Sequence, residues 1–173
     1  MLQAFGTHTP VLSPSARVAP SAVLVGQVEV AEQANIWYGA VLRGDNAPIC
    51  VGAGTNIQEN AVLHCDAGAP LHVGRDVTVG HGAILHSCTV EDTCLIGMGA
   101  ILLNGCVIGA GSLVAAGALV TQNAQIPPGS LVVGSPARVL RPLAPEAFKE
   151  LEDSAAEYRR LAAGQLPTAG HGQ

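Results

Sequence analysis

Three histidines in the middle of the chain, His64, His81 and His86, have the side-chain type and number for a metal site. The chain contains only six histidines, and Leu-His pairs occur at Leu63-His64 and Leu85-His86. Three imidazole ligands leave a fourth coordination position open, which is the arrangement of a catalytic rather than a structural zinc. Water in that position ionises with a pKa of about 7 and supplies a nucleophile at neutral pH. The pattern therefore predicts a metal site that acts on a small electrophile.

A six-residue repeat must position these histidines. An aliphatic residue recurs every six positions, a small or β-branched residue stands four positions after most of them, and Gly often follows the aliphatic residue directly. This pattern is typical of a triangular β-solenoid, in which each hexad forms one short strand and one corner and three hexads close a coil. Successive coils stack as parallel strands about 4.8 Å apart around an aliphatic core. The repeating residues are Val18, Leu24, Val30, Ile36, Leu42, Val51, Ile57, Leu63, Val73, Val79, Leu85, Val90, Ile96, Leu102, Ile108, Val114 and Val120.

Departures from the six-residue step predict where loops leave the solenoid. The step from residue 42 to 51 has three extra residues, around 44–47, and the step from 63 to 73 has four, around 66–70. The step from 85 to 90 is one residue short. Both insertions follow the same corner, and we expect that corner to be functional surface.

Allowing for these departures, one residue per coil falls into a vertical column: Leu24, Leu42, Leu63, Leu85 and Leu102. The residues that follow them stack too, so His64 and His86 are expected on adjacent coils of one outer face, close enough to share an ion. His81 lies on the preceding edge and points away from both within one chain. A symmetric homotrimer resolves the mismatch by bringing His81 of one chain against His64 and His86 of the next. The alternative is that all three are unliganded surface or packed imidazoles.

The C-terminal part departs from the solenoid pattern. Pro145 suits the first position of a helix, and apolar residues at three- and four-residue spacing predict an amphipathic helix over about 145–163. From Gly164 the sequence predicts a disordered tail, and His171 within it is not expected to be a ligand. The predicted organisation is a β-helix domain over 1–142, followed by a helix and tail over 143–173.

Composition excludes several function classes. The net charge of −5 and the absence of any Lys/Arg cluster argue against nucleic acid or an anionic membrane as partner. The N-terminus has neither a basic nor an apolar signal region, so a cytoplasmic protein is expected. Five cysteines without a CxxC motif fit reduced thiols. Cys65 and Cys88 stand beside histidines and could be spare ligands, but small buried hydrophobes are the favoured interpretation.

Several longer motifs resemble the gamma-class carbonic anhydrase family over about residues 10–140. They are W-Y-G-A-V-L-R-G-D, N-I-Q-E-N-A-V-L-H, V-G-H-G-A-I-L-H, I-G-M-G-A and G-S-P-A-R, at 37–45, 56–64, 79–86, 96–100 and 134–138. The resemblance implies an all-β fold, a left-handed parallel β-helix with a C-terminal α-helix. It implies that His64, His81 and His86 bind zinc between subunits, with Fe2+ or Co2+ as other candidates, and that CO2 and bicarbonate are the substrates.

The resemblance also implies roles for four polar residues. Arg43 and Asp45 would form an ion pair across the trimer interface, and Asn56 and Gln58 would orient bicarbonate or the reacting water. Read as residues alone, Arg43 and Asp45 could equally form an assembly salt bridge, and Gln58, next to Ile57, could be a solvated edge residue.

One departure from the family concerns proton transfer. Its best-characterised members carry an acidic loop and a proton-transferring glutamate, whereas here Asn46 follows Asp45 and the short loop after His64 carries only Asp66. Each turnover releases a proton, so an exit is needed. Glu59 and Asp66 are the candidates.

Two rival functions remain at this level. Hexapeptide coils also form acyltransferases and thioesterase-like enzymes that act on coenzyme A thioesters, which need one general-base histidine and a coenzyme A groove. The third hypothesis is a non-catalytic metal-binding or assembly subunit.

Overall fold

The computed structural model describes residues 1–169 as a parallel β-solenoid of about seven turns that is followed by one helix. The predicted fold class, a hexapeptide-repeat β-helix with a C-terminal α-helix, is confirmed. The twenty strands and the helix are β1 Leu2–Gln3, β2 Val11–Leu12, β3 Arg17–Val18, β4 Val23–Val30, β5 Asn35–Ile36, β6 Val41–Val51, β7 Asn56–Ile57, β8 Val62–His64, β9 Leu71–Val73, β10 Thr78–Val79, β11 Ile84–His86, β12 Thr89–Val90, β13 Leu95–Ile96, β14 Ile101–Leu102, β15 Val107–Ile108, β16 Leu113–Val114, β17 Leu119–Val120, β18 Gln125–Ile126, β19 Ser130–Gly134, β20 Ala137–Pro142 and α1 Pro145–Gln165.

The strands form the three faces of a triangular prism. An 8-stranded sheet contains β3, β5, β7, β10, β13, β16, β19 and β20, and α1 packs over its β5, β7 and β10; we call it the helix face. The 12-stranded sheet covers the other two faces, because β4 and β6 run around a corner. Its part with β8, β11, β14 and β17 is the histidine face, and its part with β9, β12, β15 and β18 is the rear face.

The core sets the register of the coils. Leu24, Leu42, Leu63, Leu85 and Leu102 pair in succession across the histidine face, and each is fully buried. Burial of a leucine side chain contributes about 1.5–3 kcal/mol, and a slip by one residue would turn every side chain of a strand to the opposite surface. The predicted column is therefore confirmed, and the residues after it stack as a consequence.

The two insertions adopt different structures. The residues after His64 form a turn between β8 and β9, as predicted. The residues around 44–47 do not leave the solenoid as a loop, because they lie inside the continuous strand β6. There the pairing with β4 shifts register between Gly26 and Val28, so β6 absorbs its extra residues as an irregularity in the strand.

The helix α1 is longer than predicted. It begins with Pro145 at its first turn and ends at Gln165, and it buries Leu151, Ala155 and Ala162. The sequence predicts disorder from Gly164, but Leu166 is buried and Ala169 donates to the carbonyl of Ala16 at 2.9 Å. Main-chain hydrogen bonds to the first coil thus fix residues 166–169, whereas His171 lies outside the described residues. Among residues 1–169, no helix has the length and apolar character to cross a membrane.

Close coil stacking predicts a steep cost for a side chain at Gly52. A Cβ there would lie 2.8 Å from the Arg75 nitrogen and nearer still to the Gly74 main chain, which cannot move without breaking the ladder. We expect Gly52→Ala to lower the free energy of unfolding by about 1–3 kcal/mol, as overpacking does, in urea titrations. Gly164→Ala is the control, because Gly164 faces open space in α1. It should raise stability by about 0.5–1 kcal/mol, and equal effects of the two substitutions would refute the packing argument.

Candidate metal centre

His64 and His86 form a close pair on the histidine face, as the column predicts. They end β8 and β11, they pair in register, and His64 Nδ1 lies 3.0 Å from His86 Nε2. Both rings are partly buried, with 16% and 27% of their side-chain surfaces exposed. The coil register thus brings two imidazole nitrogens face to face.

The outer nitrogens of the two rings have their own partners. His64 Nε2 lies 3.1 Å from Asp45 Oδ1, and His86 Nδ1 lies 2.9 Å from Asn104 Oδ1. A carboxylate oxygen and an amide oxygen only accept hydrogen bonds, so each ring donates its N–H outward. In neutral rings, the two facing nitrogens are then both left with lone pairs and no proton between them.

Two converging lone pairs suit a metal ion. Two nitrogens bound to one tetrahedral zinc at about 2.0–2.1 Å lie about 3.3 Å apart, close to the observed separation of 3.0 Å. An oxygen acceptor on the second nitrogen is also the usual way in which proteins orient a metal-binding histidine. The residues present therefore fit a zinc-type ion.

His81 does not join the pair within one chain. It follows β10 at the edge of the helix face, and its Nδ1 lies 2.7 Å from Glu59 Oε2. This contact directs the N–H of Nδ1 to the carboxylate and leaves Nε2 for another partner. Among residues 1–169, no three His, Cys, Asp or Glu side chains come together closely enough to hold a metal ion. A single chain therefore presents two of the three candidate ligands on one face and the third elsewhere.

Arg43 and Asp45 form an ion pair inside the same chain. The resemblance implies a pair across a subunit interface, but the two residues stand two positions apart on β6 and point to the same side. Burial acts to raise the pKa of Asp45, but hydrogen bonds from Arg43 and His64 outweigh it and hold this pKa below its ordinary value. Asp45 thus stays anionic while it receives the His64 N–H.

Asn56 and Gln58 belong to a buried hydrogen-bond chain on the helix face. Gln58 Nε2 donates to Asn56 Oδ1 at 3.0 Å, and Asn56 Nδ2 donates to Thr78 Oγ1 at 2.9 Å. Thr78 Oγ1 lies 3.1 Å from Ser154 Oγ of α1. Gln58 is only 4% exposed, so the solvated-edge interpretation is wrong: α1 covers this part of the sheet.

A mostly apolar cavity of about 300 Å3 lies beside this hydrogen-bond chain, and its wall includes Gln58, His81 and Ser154. Gln58 donates one N–H of its amide to Asn56, which leaves its second N–H and its Oε1 for other partners. The helix face thus combines the third histidine with an oriented amide next to an apolar space.

Cys65 and Cys88 lie in the core and are not directed at the histidines. Both are at most 1% exposed, and burial raises the pKa of Cys65 to about 11. A protonated buried thiol is a poor metal ligand, which supports their interpretation as small hydrophobic residues.

The sequence predictions missed Asn104, Thr78 and Ser154. Asn104 stands one position beyond Leu103, which follows the Leu85–Leu102 pair as His86 does, so counting by coils points to Leu103 and passes over Asn104. Thr78 and Ser154 are 76 residues apart, and no repeat links them, because the helix reaches β10 only through tertiary packing.

Comparison with known proteins adds curated relatives. Residues 87–122 match the family described as bacterial transferase hexapeptide (six repeats). The chain is 47% identical over 159 residues to gamma carbonic anhydrase 1, mitochondrial, of Arabidopsis thaliana, covering 88% of this chain and 58% of that protein. It is 49% identical over 150 residues to the probable carbonic anhydrase of Methanocaldococcus jannaschii, covering 87% of this chain and 94% of that protein. The chain thus spans a little over half of the plant relative and nearly all of the archaeal one.

Solved structures agree on the fold. A hexapeptide transferase family protein from Anaplasma phagocytophilum superposes with a TM-score of 0.93 and 39% identity over 96% of this chain and 98% of that one. A Vibrio cholerae hexapeptide-repeat acetyltransferase complexed with acetyl coenzyme A is more distant, with a TM-score of 0.55 and 26% identity over 78% of this chain and 71% of that one.

The buried polar chain generates a stability prediction. Thr78→Val removes the shorter of the two hydrogen bonds that the buried Asn56 amide donates, at nearly constant volume, and leaves only the one to the Val77 carbonyl at 3.4 Å. A buried donor that loses its acceptor costs about 1–3 kcal/mol. We expect urea titrations to show this loss in the free energy of unfolding. Thr121→Val is the matched control, because Thr121 is exposed and its side chain makes no hydrogen bond within residues 1–169. Equal losses in both variants would mean that this hydrogen-bond chain contributes nothing to the free energy of unfolding.

Proposed function

The chain belongs to the gamma carbonic anhydrase family, and on that premise we propose that it catalyses the reversible hydration of CO2 to bicarbonate at a metal ion held between subunits of a homotrimer. The observation that carries this proposal is that His64 Nδ1 and His86 Nε2 face each other 3.0 Å apart while the other nitrogen of each ring contacts an oxygen acceptor. His81 of an adjacent subunit completes the ligand set. Zinc is the metal that we propose first, because three imidazoles and an open position suit it, although Fe2+ and Co2+ also accept imidazole.

An aliphatic stripe supports assembly next to the site. The residue that precedes each buried leucine of the column points outward. Val62 is 37% and Ile84 is 41% exposed, and they begin the two strands that end with His64 and His86. Exposed apolar stripes of this kind mark association surfaces. A second subunit that covers them would bring its own helix face, with His81, toward the pair.

Each residue of the site then has a task. When bound, zinc lowers the pKa of water to about 7 and so supplies a nucleophile for CO2 at neutral pH. Asp45 and Asn104 hold the two rings with their lone pairs inward, and Glu59 does the same for His81. Gln58, fixed by Asn56, offers Oε1 to a hydrogen-bond donor such as bicarbonate or water, and the apolar wall beside it suits uncharged CO2.

In this arrangement, Asp66 takes over the proton transfer that the acidic loop performs in other members of the family. Its Oδ1 lies 4.0 Å from His86 Nε2, and 62% of its side-chain surface is exposed, so it connects the pair with bulk solvent. Each carboxylate also has a partner, His81 for Glu59 and Asn104 for Asp66, but the Asp66 side chain is the more exposed of the two, 62% against 33%, which makes it the better placed for the proton exit.

The coenzyme A alternative has less support. The two facing nitrogens are arranged as ligands rather than as a single general base, and the acetyltransferase neighbour is a distant one. Calorimetry would measure binding of acetyl coenzyme A. Saturable binding, together with no measurable CO2 hydration, would favour this alternative.

Activity should depend on His81 although it lies away from the pair. We expect stopped-flow CO2 hydration by the zinc-loaded protein, and a loss of about 100-fold or more in kcat/KM for His81→Ala, because removal of an orienting partner alone costs about 10–100-fold. His72→Ala is the control, since His72 is an exposed imidazole on the rear face. No hydration at full zinc occupancy would refute the proposed reaction.

Mixed subunits test whether the site lies between chains. His81→Ala and His86→Ala chains, each inactive alone, are coexpressed with different tags and purified as mixed trimers. In every mixed trimer, one interface of the three takes His81 from the His86→Ala chain and His64 and His86 from the His81→Ala chain, and that interface is intact. Purified mixed trimers should therefore recover about one third of the zinc sites and of the activity. A site contained within one chain would give no recovery.

A further inference from the structure

Asn104 lies just beyond the histidine pair and connects it to the loop after β8. Its Oδ1 is 2.9 Å from His86 Nδ1, and its Nδ2 donates to Asp66 Oδ2 at 2.6 Å. The amide thus stands between a carboxylate on one side and an imidazole on the other.

Asp66 determines which way the amide faces. A carboxylate oxygen needs a donor, so it takes the Asn104 NH2 group and turns Oδ1 toward His86. If the amide were flipped, two oxygens would face each other and an NH2 group would face His86 Nδ1. His86 would then carry its proton on Nε2, pointing at His64 Nδ1, and the pair would close as an ordinary imidazole hydrogen bond.

Two departures from the hexad repeat bring these groups together. The insertion after His64 carries Asp66, and the missing residue between positions 85 and 90 tightens the corner at Ser87. Asn104 lies on the next coil against this corner, where the Gly105 N–H donates to the Ser87 carbonyl at 2.7 Å. The two segments are tied by Ser87, whose Oγ accepts a hydrogen bond from the Asp66 main-chain N–H at 2.8 Å. Ser87 is itself 4% exposed and adopts a positive φ of 44°, as a tight corner requires.

We propose that Asn104, oriented by Asp66, is a positioning residue that keeps the proton of His86 on Nδ1 and so presents the Nε2 lone pair to the metal. The inference rests on the proposed function, because it concerns the same metal site. It adds an outer relay, Asp66 to Asn104 to His86, which the ligand set alone does not contain. His64 has a different orienting group, the anionic Asp45, so the two rings are controlled independently.

The test compares a broken relay with a reversed one. Asn104→Leu removes the relay at similar volume. The double variant Asp66→Asn/Asn104→Asp reverses it: the amide at position 66 donates, and the carboxylate at position 104 accepts from both the amide and His86, with the net charge unchanged. Gln125→Ala is the control, because that amide is exposed and bonds only to main-chain carbonyls.

Three readouts are measured on the full-length assembled protein: Zn2+ affinity by competition with a chromophoric chelator, the visible absorption of the Co2+ form, and the urea midpoint of the metal-free form. We expect Asn104→Leu to weaken Zn2+ binding by about 10–100-fold and to alter the Co2+ spectrum, with the urea midpoint unchanged. The Zn2+ affinity of the double variant should lie within about threefold of that of the natural protein. The Zn2+ affinity of Gln125→Ala should equal that of the natural protein.

Two results would overturn the proposal. One is an Asn104→Leu variant that binds Zn2+ as tightly as the natural protein. The other is weaker binding that accompanies a lower urea midpoint and is not recovered by the reversed relay, since that combination means a purely structural role. If the natural protein itself binds no Zn2+, the proposed metal site fails and this inference fails with it. If the natural protein binds Zn2+ tightly and Asn104→Leu binds it equally well, only the proposed role of Asn104 is refuted and the metal site stands.

Discussion

Burial of the inward aliphatic column is the constraint on which the rest of the molecule depends. Every coil must place its leucine, isoleucine or valine at the equivalent position, because only in that register are the main-chain hydrogen bonds formed and the aliphatic side chains buried at the same time. His64 and His86 follow buried leucines that pair with each other, so their rings cannot drift apart along the sheet. The apolar core thus sets the spacing of two polar side chains on the outside of the solenoid.

Register alone fixes where the rings are, but not where their protons are. That choice belongs to acceptors outside the pair, Asp45 for one ring and Asn104 for the other. Asp45 is reliable in this task because Arg43 and His64 hold its pKa low despite its burial, so it stays an acceptor. The same logic operates on the helix face, where Thr78 and Ser154 settle the orientation of Asn56 and Gln58. The metal chemistry that we propose for this site would therefore depend on amide and carboxylate groups that no ligand count includes.

The sequence predicted the solenoid, the leucine column and the stacking of His64 on His86, because a six-residue period maps directly onto position in a coil. It predicted less well wherever the period breaks. The extra residues of β6 could have formed a loop or an irregular strand, and spacing does not distinguish the two. Gln58 was predicted as a candidate for solvent exposure because only the docking of α1, through Ser154 and neighbouring residues, buries it. Asn104 escaped notice because its contact with His86 depends on the shortened corner near Ser87, not on the repeat itself.

The separation of His81 from the other two histidines links assembly to chemistry. A complete set of ligands on one chain would bind metal in a free subunit, with an open and fully hydrated site. With the ligands divided between the histidine face and the helix face, an isolated subunit has only a bidentate pair, and two imidazoles bind zinc far more weakly than three. In the proposed trimer, the contact that supplies the third ligand would also cover the exposed residues Val62 and Ile84 and enclose the apolar wall beside Gln58. Metal binding would then stabilise the assembled form by mass action, since the metal prefers the trimer to its subunits. In such an arrangement, the metal is as much a part of the quaternary structure as it is of the active site.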